Sequence, residues 1–161
     1  MCKYNYVPTK IYIKCKPQKI VTMWIFENKI FKPADLDPKS TYGFIYEITN
    51  LVNQKKYIGK KFFWSAKTRP PLKGRKNKRR SKVPSDWQDY FGSNVKLLKD
   101  VEELGTDKFE RRIIRICSTK AECAYYELLE QIERNVLLDE NYYNDWIMVK
   151  VRKAHLKHLR K

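Results

Sequence analysis

Histidine is nearly missing from this chain. Of 161 residues only two are histidine, His155 and His158, both in the basic C-terminal stretch. Histidine-based acid–base or metal chemistry from the body of the protein is therefore excluded. Acidic residues are scarce as well: 18 Asp and Glu face 35 Lys and Arg, a formal net charge of +17. Such a chain is drawn to polyanions, of which nucleic acid is the commonest and an anionic membrane the rival. Against the membrane, there is no long apolar run, no secretory leader and no basic amphipathic helix with a clean apolar face. A cytoplasmic protein without membrane contact is expected. The four cysteines, Cys2, Cys15, Cys117 and Cys123, lack metal-knuckle or redox spacing, so reduced thiols are expected rather than a zinc site. Nothing calls for a small-molecule cofactor.

What is present is aromatic and apolar. Aromatic residues make up 14% and hydrophobic residues 42%, enough for a packed core and too much for a disordered chain. The length suits one domain with an appendage. The clearest local pattern spans 42–61. Phe44, Tyr46 and Ile48 alternate with Ile45, Glu47 and Thr49, and Lys56-Tyr57-Ile58-Gly59 follows after a turn at Asn53-Gln54. Period-two β-branched and aromatic residues bounded by Asn and Gly predict a hairpin. Tyr46 and Tyr57, one per strand, are placed to serve one site; packing is the competing role for both.

Before the hairpin, Lys10–Lys14 alternates, and Ile20–Phe26 is set to pair with Lys29–Phe31 across Glu27-Asn28. After it, the stretch 69–82 carries many cations and no acid. Its prolines and glycine exclude a regular helix. It reads as a basic loop that is either solvated or contacts phosphates. Ser85 caps a short helix over Asp86–Phe91, and Ser93 or Asn94 caps another that Gly105 stops. Phe109–Cys117 reads as a third strand. Thr119 and Glu122 form a capping box that starts a helix running to about Val136. Its apolar stripe is predicted as Ala121, Tyr125, Leu128, Ile132 and Val136. On that helix Glu130 has Arg134 four residues on, an ordinary ion pair, whereas Glu127 has Gln131 there and is the freer carboxylate. Asn141-Tyr142-Tyr143-Asn144 forms a closing turn.

In this order the pieces resemble the GIY-YIG nucleases, named for motifs on the two hairpin strands. The second motif stands unaltered as Tyr57-Ile58-Gly59. The first stands as Phe44-Ile45-Tyr46, with Phe where the family has its first glycine. The family's glutamate falls on Glu127 and its asparagine on Asn144, and the match runs from Tyr42 to Asn144. The similarity is greatest to the phage-encoded, Seg-like and homing-endonuclease-like branch. The implied fold is α+β: a small three-stranded antiparallel or mixed sheet flanked by helices. Residues 1–40 would be a β-rich N-terminal extension and 41–148 the nuclease-like domain, with 69–82 as its basic loop. Residues 149–161 would be a basic tail.

The resemblance implies a DNA endonuclease that uses Mg²⁺ or Mn²⁺ held by Glu127. Tyr46 would position or deprotonate water, its pKa lowered by Lys61, an arginine and the metal. Tyr57 would hydrogen-bond in the same network, Lys61 would bind phosphate, and Asn144 would hold the rear of the site. The family's helical arginine has no counterpart at its usual position; Arg69 and Arg75 both qualify, with Arg79 and Arg80 behind them, and Arg75 is preferred. Arg69, Lys73, Arg75, Lys76, Lys78, Arg79, Arg80, Arg152 and Lys153 are expected to contact DNA. A homodimer would serve double-strand cleavage. The alternative is a catalytically inactive nucleic-acid-binding protein on the same scaffold.

Overall fold

A computed structural model describes residues 23–37, 40–149, 152, 155, 156 and 158. The alternation expected at Lys10–Lys14, the thiols Cys2 and Cys15 and the DNA contact expected at Lys153 lie outside these residues. The fold is α+β, but its main sheet has five strands rather than three. The strands are β1 (Trp24–Phe26), β2 (Lys29–Ile30), β3 (Gly43–Asn50), β4 (Lys56–Phe62) and β7 (Phe109–Cys117), in the order β2-β1-β7-β3-β4. Between β4 and β7 come a separate pair, β5 (Trp64–Arg69) and β6 (Arg79–Pro84), and helix α1 (Val95–Leu104); α2 (Lys120–Glu133) follows β7. Among the described residues no helix is long and apolar enough to cross a membrane.

The expected pairing across Glu27-Asn28 forms. Both residues take positive φ, 48° and 61°, the two-residue turn whose twist matches a hairpin. What the pattern did not reveal is the partner of β1, which runs parallel to β7 with Trp24 opposite Arg111. This carries the indole of Trp24 into the core. It meets Phe44 and Tyr46 edge-on, with ring centroids 5.0 and 5.3 Å away, and donates from Nε1 to the Trp87 carbonyl at 2.7 Å.

Strand β3 is flanked on both sides and buried on both faces. Phe44, Tyr46 and Ile48 join Trp24, Phe63 and Trp87 in an aromatic layer on one face. On the other, Ile45 packs with Ile58, Cys117, Cys123 and Val136 beneath α2. Cys117 and Cys123 are free and buried thiols, as expected. Against β7 the register of β3 slips between Ile45, opposite Arg115, and Tyr46, opposite Ile113. Such a bulge re-aims neighbouring side chains, and here the neighbour is Tyr46.

Three expectations are corrected. The basic loop is shorter than the expected 69–82: β5 and β6 pair from Trp64↔Pro84 to Arg69↔Arg79, leaving 70–78 as the connection of a β-hairpin. The prolines that exclude a helix sit in the connection and leave the strands free to pair. The short helix at Asp86–Phe91 is only a 3-10 turn, Trp87–Asp89. The carbonyls of Gln88 and Tyr90 instead accept from Arg111 Nη1 at 2.7 and 3.1 Å, because the fully buried guanidinium has its own donors to satisfy. Finally, the stripe of α2 is rotated from the predicted one. Ile132 is 57% exposed and Tyr125 38%, whereas Glu122, Cys123 and Gln131 are buried. The reason is that α2 crosses the sheet face over β4, β3 and β7 and its C-terminal end reaches the open edge of β4, where Gln131 Nε2 donates to the Ile58 carbonyl at 3.1 Å.

Candidate active site

The site is built on the pairing of β3 with β4. Tyr46 stands opposite Gly59, and Ile48 opposite Tyr57. Tyr46 and Tyr57 are therefore diagonal neighbours on one face, with ring centroids 6.1 Å apart. Gly59 is required by this arrangement. A Cβ there would lie 2.6 Å from Tyr46 Oη and 3.0 Å from Tyr57 Cε1, so only glycine lets the Tyr46 hydroxyl lie over the strand. Tyr57 Oη shares a hydrogen bond with Ser93 Oγ at 3.3 Å.

Glu127 reaches the same place from α2. It is not the free carboxylate the helix spacing suggested: Lys60 Nζ donates to its Oε2 in a half-buried ion pair. Lys60 lies on the opposite face of β4 from Tyr57 and Lys61. Because β4 is the outer strand of the sheet, both faces open onto one groove at its edge. That cleft holds about 240 Å³ and is lined by Tyr46, Tyr57, Lys60, Ser93, Glu127 and Asn144, among others.

Asn144 closes the free edge of β4. Its Oδ1 accepts from the Ile58 amide at 3.0 Å and its Nδ2 donates to the Ile58 carbonyl at 2.8 Å. One side chain thus takes the place of a missing partner strand. The chain before it approaches in parallel: Tyr143 N donates to the Lys56 carbonyl, and Lys56 N to that of Asn141, both at 2.8 Å. Tyr143 is itself tied to Asp100 Oδ2 at 2.6 Å and Asn50 Nδ2 at 2.8 Å.

The electrostatics of Tyr46 run against the expectation of a lowered pKa. Burial pushes the phenol well above 10.0, and the neighbouring Tyr57, Tyr90 and Glu127 add to the rise. Neither Lys61 nor an arginine offsets this. Lys61 Nζ is 2.7 Å from Asp86 Oδ1 and 3.6 Å above the Tyr90 ring, so it braces the outer wall of the aromatic layer. Burial also raises Tyr57, with the Ser93 hydrogen bond opposing it. At neutral pH both tyrosines are neutral hydroxyls.

The structure thus brings Tyr46, Tyr57, Glu127 and Asn144 together. It does not bring Arg75 there: Arg75 lies near the tip of the β5–β6 pair beside Lys76, Lys78 and Arg79, in a separate surface hollow. Arg69, Lys73, Arg80 and Arg152 are exposed. Two neighbours of the candidate residues escaped the sequence, Lys60 in the cleft and Tyr90 packed behind Tyr46. Lys60 had a readable signal, since period two puts it with Ile58 on the face that a covering helix would touch. Tyr90, whose ring stands 6.0 Å from that of Tyr46, had none.

The fit of a divalent cation can be judged from the donors. Apart from the Lys60 ammonium, the cleft's polar side-chain groups are the carboxylates of Glu127 and Asp145, hydroxyls, amides and the Trp146 indole, with Asp145 ion-paired to Lys96, and no His or Cys lines it. Among the described residues no group of 3 or more His, Cys, Asp or Glu is clustered for a metal. A hard oxygen donor set with two carboxylates, each ion-paired to a lysine, fits Mg²⁺ or Mn²⁺ that keeps most of its water, and does not fit zinc.

Comparison with known proteins places most of the described chain in one family. The family described as "Putative endonuclease segE, GIY-YIG domain" matches residues 24–147. A protein named "Putative endonuclease segE" from Enterobacteria phage T4 is 32% identical over 104 residues, covering 64% of this chain. The match covers 40% of the length of that relative. No solved structure matches.

Proposed function

The chain belongs to the segE family of GIY-YIG domains, and on that premise we propose that it is a metal-dependent DNA endonuclease. The observation that supports this most is the convergence of Tyr46, Tyr57 and Glu127 on one cleft at the sheet edge. Hydrolysis joins a water oxygen to phosphorus, breaks the P–O3′ bond and leaves the departing oxygen protonated. Glu127 is the residue that would hold a divalent cation here. Such an ion, when bound, supplies positive charge beside the phosphate and a more acidic water.

The chain's own residues do the rest. Tyr46, held neutral by burial, orients the attacking water through its hydroxyl rather than removing a proton at neutral pH. Tyr57, fixed by Ser93, donates to a phosphate oxygen. Lys60 exchanges the Glu127 carboxylate for the incoming phosphate, which releases Glu127 and places an ammonium on the substrate. Asn144 and Gln131 hold Ile58, and so keep Tyr57 and Gly59 fixed between them and Tyr46. Arg69, Lys73, Arg75, Lys76, Lys78, Arg79, Arg80 and Arg152 supply sequence-independent attraction to the backbone. A single site cuts one strand, so a second copy would complete a double-strand break. The experiment is plasmid nicking by the purified protein. We expect conversion of supercoiled to open-circular DNA with Mg²⁺ or Mn²⁺ and none after chelation; equal nicking in chelator would refute the metal-dependent form.

A second reading, a DNA-binding protein without cleavage, is favoured by one observation. Among the described residues no arginine lines the cleft, so Lys60 is the cation beside Glu127. Tight duplex binding with no nicking in any divalent metal would establish it.

A further inference from the structure

We propose that the β5–β6 ribbon enters a groove of duplex DNA and holds the duplex against the cleft. The proposal rests on the endonuclease reading in taking the duplex to be the substrate. The ribbon is a sheet of its own. It is fastened at its base, where Trp64 Nε1 donates to the Thr41 carbonyl at 2.9 Å and Ser85 Oγ to that of Phe62 at 2.6 Å. From Ser65 to Lys82 nearly every residue is exposed. This span carries nine lysines and arginines and no acid. None of those cations has an ion-pair partner among the described residues.

The register shows what the charge is for. Arg69 stands directly opposite Arg79, and like charges so placed destabilise a hairpin. Blunting an exposed edge takes a cation or two, not an arginine pair with more behind it. Moreover, the cations occupy both faces. Lys67, Arg69 and Arg79 share one face; Arg80 opposite Thr68 and Lys82 opposite Ala66 share the other. A ribbon lying on a flat phosphate surface needs charge on one side only. A ribbon set between two phosphate walls needs it on both. The size agrees: two paired strands of six residues are about 20 Å long, and a major groove about 12 Å wide admits a two-stranded ribbon.

Two further features favour duplex over single strand and place it. Single-strand binding relies on aromatic platforms for base stacking, and the span 65–82 has no aromatic residue. The ribbon also leaves directly from β4, the strand that carries Tyr57 and Lys60, with Phe63 alone between β4 and β5. A duplex gripped by the ribbon is therefore tethered beside the cleft.

The test uses the full chain, a labelled duplex and a labelled single strand of equal length, in chelator so that nothing is cut. Two double variants, Arg69→Gln with Arg79→Gln and Arg80→Gln with Lys82→Gln, are compared with wild type by fluorescence anisotropy over a salt series. Each pair should weaken duplex binding by about tenfold and lower the slope of log affinity against log salt by ~1.8, two phosphate contacts at ~0.9 each. Single-strand affinity should fall less. Melting curves confirm that the body is folded; should either pair fail to fold, Lys76→Gln with Lys78→Gln in the connecting loop is held to the same slope change. An unchanged slope, or equal losses on duplex and single strand, overturns the ribbon proposal. Its failure is separable from that of the endonuclease reading: nicking by wild type with an unchanged slope sinks the ribbon alone, while ribbon-dependent binding without nicking sinks the nuclease alone.

Discussion

Lys60 reaches over the outer edge of the sheet and pairs with Glu127 on α2, so that carboxylate of the cleft is neutralised before any substrate arrives. A cation held there competes with any other cation for the same oxygens. Removing the ammonium with Lys60→Met should therefore tighten Mn²⁺ binding to the DNA-free protein by about threefold to tenfold, the range a partly buried ion pair commands. Cleavage should fall nonetheless, because the phosphate loses its ammonium. Calorimetric titration with Mn²⁺ checks the first effect; weaker metal binding in Lys60→Met would mean that Glu127 is not the ligand.

Gly59 is fixed by the Tyr46 hydroxyl that lies over it, since an added Cβ would come within 2.6 Å of Oη. Gly59→Ala should destabilise the fold by about 1–3 kcal/mol, the usual cost of overpacking. It should also shift Tyr46, lowering cleavage by more than the loss of folded protein explains. Chemical denaturation alongside kcat measured on the folded fraction separates the two.

Tyr46 governs stability in alkali. Its folded pKa is raised above the unfolded value of 10.0 by burial, so above that pH the folded state holds a proton that the unfolded state has released. The contribution is complete below about pH 10 and is lost as pH rises through the folded value. Tyr46→Phe should flatten that alkaline loss. It should leave the slope of cleavage rate against pH unchanged between neutrality and pH 9, because Tyr46 does not titrate there. A rate profile whose rising limb disappears in Tyr46→Phe would instead make Tyr46 the titrating base.

Asn144 acts on the backbone of β4. Asn144→Leu strips the Ile58 amide of its acceptor, while Gln131 still serves the Ile58 carbonyl. One buried, unsatisfied amide costs about 1–3 kcal/mol. Metal affinity in the folded variant should stay within about twofold of wild type, as befits a positioning residue rather than a ligand. Melting temperature and Mn²⁺ titration read the two effects apart.

Local chemistry was legible where a signal lay within a few residues. Strand Phe109–Cys117 has its predicted bounds, and α1 is capped by Asn94 and stopped by Gly105 as its sequence indicated. The tyrosine pair and Glu127 line one cleft. What could not be read depended on distant partners. Trp24 enters the core only because a three-residue strand finds β7 in parallel, and period two cannot name a partner 87 positions along the chain from Trp24 to Arg111. The polar seam of α2 follows from Gln131 meeting Ile58 at an open sheet edge, which an apolar stripe cannot foretell. The same blindness hid Lys60: helix spacing compared Glu127 only with residues on its own helix, and its partner stands on β4.

The most direct test of the endonuclease reading is Glu127→Gln, which keeps the shape of the side chain and removes its charge. Duplex affinity in chelator and plasmid nicking in Mg²⁺ or Mn²⁺ are measured on the same preparation. The prediction is wild-type binding with nicking reduced by at least about a hundredfold. Undiminished nicking by Glu127→Gln would contradict it.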